Sequence, residues 1–160
     1  MPNKMIKDGA VVDDRWQVLD AEATEVPEGA VIVPLSLWME QKESLAQRGQ
    51  LGIWLNSDES PQLIADSLAS FAVIAINFPA FADGRGFTYG RELREQYKYQ
   101  GEIRAIGEFI RDQLFFLKRC GFNAFALNGV DLDNALDSFA DFSDAYQAAI
   151  DQPEPLFKRR

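Results

Sequence analysis

Histidine is absent from the 160 residues, and Cys120 is the sole cysteine. The first absence removes the commonest general base and transition-metal ligand, and with it every Ser-His-Asp or Cys-His arrangement. A haem or sirohaem held by histidine cannot be built from these residues. The second excludes an internal disulfide, a zinc cluster and a cysteine-ligated iron–sulfur centre. No apolar run reaches the ~18 to 20 residues of a membrane span, so no membrane is expected as a partner. The opening MPNKMIKDGAVVDD has no hydrophobic stretch of the secretory kind, and a cytoplasmic location is expected. Positive charge is scarce as well. A net charge of −9 argues against non-specific nucleic-acid binding, which needs a broad basic surface.

What is present is an ordinary globular composition, 47% hydrophobic and 26% charged, with its charge unevenly spread. Residues 83–119 carry 8 of the 16 basic residues against 6 acids, while 131–154 hold seven acids and no base. That balance permits a local anion site set in an acidic body. Separately, acids at 133, 137, 141 and 144 form either a solvated helix face or a surface for a basic partner.

Short apolar runs alternate with amphipathic stretches. VIVPL (31–35), GIWLN (52–56), AVIAIN (72–77), EIRAI (102–106) and AFALN (124–128) read as strands, each followed by a helical pattern. In SPQLIADSLASF, Ser60 is placed to cap a helix whose first turn holds Pro61. In EFIRDQLFFLKRCG, Ile106, Ile110, Leu114 and Leu117 share a face and Gly121 can end the helix. A further hairpin strand is placed around WQVL (16–19). The expectation is one α/β domain over 30–150 with a mainly parallel sheet, either doubly wound or a partial (β/α) barrel. An N-terminal tail or hairpin (1–29) precedes it and a C-terminal tail (151–160) follows.

Parallel sheets bind ligands beyond the carboxyl ends of their strands. Asn56, Asn77 and Asn128 sit at three such ends. They form either a ring of amides over a pocket or simple turn caps. FPAFADGRGF after the third of these strands is long for a βα loop. Asp83-Gly84 suggests a tight turn that presents Arg85, whose guanidinium could grip an oxyanion or pair with Asp83 as a clip. Glycines 84, 86 and 90 follow GxGxxxG, which is not a dinucleotide fingerprint, and the loop lacks the GK[ST] of a P-loop. Tyr89, Leu93 and Tyr97 define one helix face and Arg91, Arg94 and Lys98 another. Arg104, inside an apolar strand, is either wet at a sheet edge or paired within a polar network, with Glu102 on its own face. Cys120 reads as a packed structural residue. The candidates for anion or partner binding are thus Asp83, Arg85, Tyr89, Arg91, Arg94, Arg104 and Arg111, with the three asparagines as a strand-end pocket.

The stretch from FPAFADGRGF through GEIRA and RDQL to RCGF, residues 78–127, resembles a family of uncharacterised bacterial proteins. Its members are typically encoded beside assimilatory sulfite reductase and are often labelled as oxidoreductase subunits. The resemblance implies a role in sulfite reduction beside the catalytic subunit that carries sirohaem and an iron–sulfur cluster. It brings no established catalytic residues with it. Three readings follow: an accessory subunit with an anion-binding or docking edge, a flavin-dependent oxidoreductase, and a regulatory protein that binds a sulfur metabolite. A flavin needs no histidine or cysteine and is compatible with the composition.

Overall fold

The computed structural model describes residues 3–78, 85–107 and 114–126. Eight strands form one sheet in the order β2-β1-β8-β7-β6-β5-β4-β3. Six run parallel: β3 (Gln17–Val18), β4 (Val31–Pro34), β5 (Leu51–Leu55), β6 (Val73–Phe78), β7 (Glu102–Gly107) and β8 (Ala124–Phe125). The hairpin β1 (Asn3–Lys7) and β2 (Ala10–Asp14) adds to β8 in antiparallel sense. Strand β3 is therefore a parallel neighbour of β4, not the hairpin strand expected around WQVL. Strands consecutive in sequence from β3 to β8 are neighbours in space. That is the order of a (β/α) barrel, without the reversal that defines a doubly wound sheet. The result is an α/β fold whose mostly parallel sheet curls into a half-barrel.

The curl follows from covalent geometry. Only Arg15 and Trp16 separate the end of β2 from the start of β3, so those ends lie within about 11 Å of each other. Seven inter-strand steps of a flat sheet would hold the two edges about 34 Å apart. The sheet must bend until its edges approach, and two layers of side chains result. On the outer face Val33, Ile53, Ile74, Ile76, Ile103 and Phe125 join the main core with Leu37 and Trp38 of α1 (Leu35–Leu45). On the inner face Ile32, Trp54, Val73 and Ala75 pack around Trp16. Strands covered on both faces need apolar residues at every position, which is why 31–34 and 51–55 are buried throughout.

Among the described residues the outer layer also holds a 3-10 helix (Pro61–Ser70), α2 (Arg85–Arg91) running into a π-helical turn (Glu92–Gln96), and α3 (Leu114–Arg119). Ser60 Oγ accepts the Gln62 N–H at 3.2 Å with Pro61 in the first turn, as the sequence suggested. The segment takes a 3-10 rather than an α pitch, although Pro61, Ile64 and Leu68 are spaced three and four apart as on an α-helix. Gly121, at φ +106°, follows α3 and lets the chain turn into β8. Among the described residues, no helix is long and apolar enough to cross a membrane.

Arg104 is 1% exposed on the inner face. Its Nε donates to Glu102 Oε2 at 2.7 Å and its Nη1 to Asp14 Oδ1 at 3.0 Å, while Lys7 Nζ lies 3.2 Å from Glu102 Oε1. Asp14 Oδ1 also accepts the Trp16 N–H at 3.0 Å. Arg104 lies in a strand flanked on both sides, and of its two readings the paired network is the one observed. Asp14 is three strands away, about 14 Å across a flat sheet. Their contact is a side-chain latch across the curl. Trp16, just before β3, packs against the inner-face cluster, and the Trp54 Nε1–H donates to the Leu19 carbonyl at 2.7 Å. The carboxyl ends of the parallel strands are where a ligand site is built in barrels of this kind.

Candidate functional site

Strand β5 ends at Leu55 and β6 at Phe78. By alternation, Asn56 and Asn77 continue the inner face one layer above Trp54 and Ala75, which are partners in register. Asn77 Nδ2 donates to Asn56 Oδ1 at 3.0 Å, and the same oxygen accepts the Ser57 N–H at 2.9 Å. Glu59 Oε1 accepts the Asn56 N–H at 2.8 Å and closes the turn from the other side. Two of the three strand-end asparagines are thus joined. Asn128, with Asp83 and Arg111, lies outside the described residues.

Helix α2 brings the remaining groups. Gly86 and Gly90, one turn apart, lie against the outer face of the sheet so closely that a Cβ would stand 2.5 Å from the rings of Phe78 and Phe122 respectively. Their missing side chains seat the helix, and the residues just before each of them face the β5 turn. Arg85 Nη2 donates to Ser57 Oγ at 3.2 Å, and the Tyr89 hydroxyl donates to the Ser57 carbonyl at 2.6 Å. Ser57 itself is only 6% exposed. The i, i+4 pairs Gly86/Gly90 and Arg85/Tyr89 therefore do two jobs, close packing and reach. The loop candidate Arg85 and the strand-end asparagines, derived from separate observations, belong to one cluster.

Gly107 ends β7 at φ +93°, where a Cβ would press on Asn77 Oδ1 and lie 2.6 Å from the Phe78 carbonyl. A side chain there would displace Asn77. Ser57, Glu59 and Gly107 were not among the sequence candidates. The signal for Ser57 was its place directly after a strand-end asparagine. Glu59 and Gly107 gave no signal beyond lying near strand ends.

The other basic candidates are placed elsewhere. Arg94 is carried by the π turn and donates to the carbonyls of Gly121 (2.9 Å), Tyr99 (2.8 Å) and Gly101 (2.8 Å), and to Asn123 Oδ1 at 3.4 Å. Burial lowers its pKa from the usual arginine value, with Tyr99 and Asp8 acting in the opposite sense. Arg94 ties the approach to β7 onto the approach to β8. Arg91 lies 3.8 Å from Glu95 and beside the Cys120 thiol. Burial raises that thiol's pKa more than Arg91 and Arg119 lower it. Cys120, 1% exposed, is a packed thiol. Arg104 belongs to the latch with Glu102 and Asp14, in the inner-face layer of Ala75.

Fold and cluster together define an α/β half-barrel with a polar, arginine-bearing group at the carboxyl ends of two adjacent parallel strands. The chain belongs to the family described as bacterial protein of unknown function (DUF934), which matches residues 52–157. The match spans every described member of the cluster, from Asn56 to Gly107. No curated protein and no solved structure matches the chain.

Proposed function

We propose that this chain is an auxiliary protein of assimilatory sulfite reduction that holds a small anionic group at the carboxyl ends of β5 and β6. The observation that carries the site is the convergence of Arg85, Ser57, Asn56 and Asn77. A guanidinium, a hydroxyl and carboxamides are donors suited to oxygen anions. The cluster lies where parallel sheets place their ligands.

The pathway half of the proposal rests on the resemblance carried by FADGRG, GEIRA, RDQL and RCGF. Without histidine and with one cysteine, these residues supply neither the sirohaem ligand nor the cluster ligands of a sulfite reductase. The electron-transfer centre would then belong to a partner, which this protein assists in the cytoplasm. Growth of a deletion strain on a single sulfur source tests the pathway. Failure on sulfate and sulfite with rescue by sulfide is expected, and normal growth on all three, with no second copy present, would remove the assignment.

A further inference from the structure

Asn56 Oδ1 accepts two hydrogen bonds, from Asn77 Nδ2 and the Ser57 N–H, and its backbone N–H is held by Glu59. The carboxamide is thereby fixed through its oxygen and backbone alone. Its nitrogen, with two N–H donors, meets no acceptor among the described residues. The neighbouring Ser57 hydroxyl accepts from Arg85 and likewise has no acceptor for its own proton among them. A turn that commits the oxygen of an amide twice and leaves its nitrogen open is oriented for something that accepts.

We infer that Asn56 Nδ2 is a ligand-binding donor, acting with Ser57 Oγ–H and the Arg85 guanidinium on a small oxyanion, and that Asn77 is its positioning residue. The inference rests on the proposed anion site and adds the group that selects the ligand. Three kinds of donor converge: a charged planar fork, a hydroxyl and a neutral amide. An oxyanion with several acceptor oxygens satisfies all of them at once. A cation is disfavoured by Arg85. A purely apolar ligand would leave the amide and the hydroxyl desolvated and unpaired. Among the described residues Glu59 is the one acid bonded to the cluster, and its bonded oxygen is engaged by the Asn56 N–H. Asn77 sets the angle of the Asn56 plane, and Gly107 leaves room for Asn77.

Asn56→Asp makes a clean test. It keeps an oxygen for both bonds that Oδ1 accepts and replaces the amide nitrogen by an anionic oxygen. Sodium sulfite (kept anaerobic) and sodium sulfate are titrated at constant ionic strength by calorimetry, with thermal melting of each variant alongside. The wild type is expected to bind at least one of them. Asn56→Asp should weaken it by about a hundredfold or more, since a donor becomes a like charge. Asn77→Ala should weaken it by about tenfold through loss of positioning. Comparison of the two salts distinguishes a pyramidal from a tetrahedral ligand. Absence of wild-type binding to both, or equal binding by a folded Asn56→Asp, would overturn the inference. Should Asn56→Asp melt out, Ser57→Ala and Arg85→Gln serve in its place, and unchanged binding in both would overturn it equally. Anion binding in a protein whose deletion leaves growth on sulfate and sulfite normal would keep this site and remove the pathway.

Discussion

Arg104 shows how a single side chain decides the shape of the molecule. A guanidinium at 1% exposure is tolerable only while Glu102 and Asp14 pair with it, because an uncompensated buried charge costs about 3 to 5 kcal/mol. Asp14→Ala is therefore expected to lower unfolding stability by about 3 kcal/mol in urea titration, and Asp14→Asn, which keeps an acceptor oxygen, by less. Equal stability of wild type and Asp14→Ala would mean that the latch does not hold the curl. Cys120 gives a second prediction at this scale. Its thiol pKa is raised by burial, and the Tyr99 hydroxyl, bonded to the Phe71 carbonyl at 2.9 Å, is raised in the same way. Both groups keep their protons in the folded state at a pH where the unfolded chain begins to release them. Stability should thus be full below the ordinary thiol range and fall as pH climbs through it and then through the ordinary tyrosine range. Urea midpoints across alkaline pH check the sign. A disulfide reagent should label Cys120 only as fast as the fold opens, and rapid stoichiometric labelling of the native protein would contradict its burial.

At the scale of elements, α2 is the instructive case. Glycine in a helix is normally unfavourable by about 1 kcal/mol relative to alanine. Propensity alone would have Gly86→Ala and Gly90→Ala stabilise the protein. Contact with Phe78 and Phe122 predicts the reverse, a loss of about 1 to 3 kcal/mol from overpacking. The displaced helix should also carry Arg85 and Tyr89 away from Ser57 and weaken anion binding. Thermal melts decide between the two signs. Arg94→Lys is expected to cost about 2 kcal/mol, because one ammonium cannot reach the four oxygens that the planar fork serves. The stripe Arg91, Arg94 and Lys98 reads as one exposed face only while the pitch stays α. The π turn at 92–96 and the positive φ of Lys98 break that register and turn Arg94 inward. Nothing in the local spacing announces such a turn.

At the scale of the whole molecule, β4 to β8 were legible, β4 to β7 to within a residue, because β-branched and apolar runs in covered strands carry their own signal. Strands β1 and β2 were not placed, and β3 reads as a hairpin strand. The choice between a doubly wound sheet and a barrel was not legible. Both give the same alternation of strand and helix, and the decision lies in contacts between distant residues, Asp14 with Arg104 and β1 with β8. The site was half legible. Arg85, Asn56 and Asn77 were marked by loop and strand-end positions, but that they meet depends on the seat made by Gly86 and Gly90. The inner face carries two polar groups, the latch around Arg104 and, one layer on, the cluster at the ends of β5 and β6. Stability is expected to depend on the first and ligand binding on the second. Substitutions in the latch should change unfolding without changing the affinity of a still-folded protein, and substitutions of Asn56 or Arg85 should do the opposite.

The most direct measurement replaces the chromosomal copy by the Arg85→Gln variant and follows growth on sulfate, sulfite or sulfide as sole sulfur source. With the variant present at the wild-type level, slowed growth on sulfate and sulfite and normal growth on sulfide is the predicted result. Growth equal to wild type on all three would contradict the claim that the cluster at the ends of β5 and β6 serves sulfite reduction.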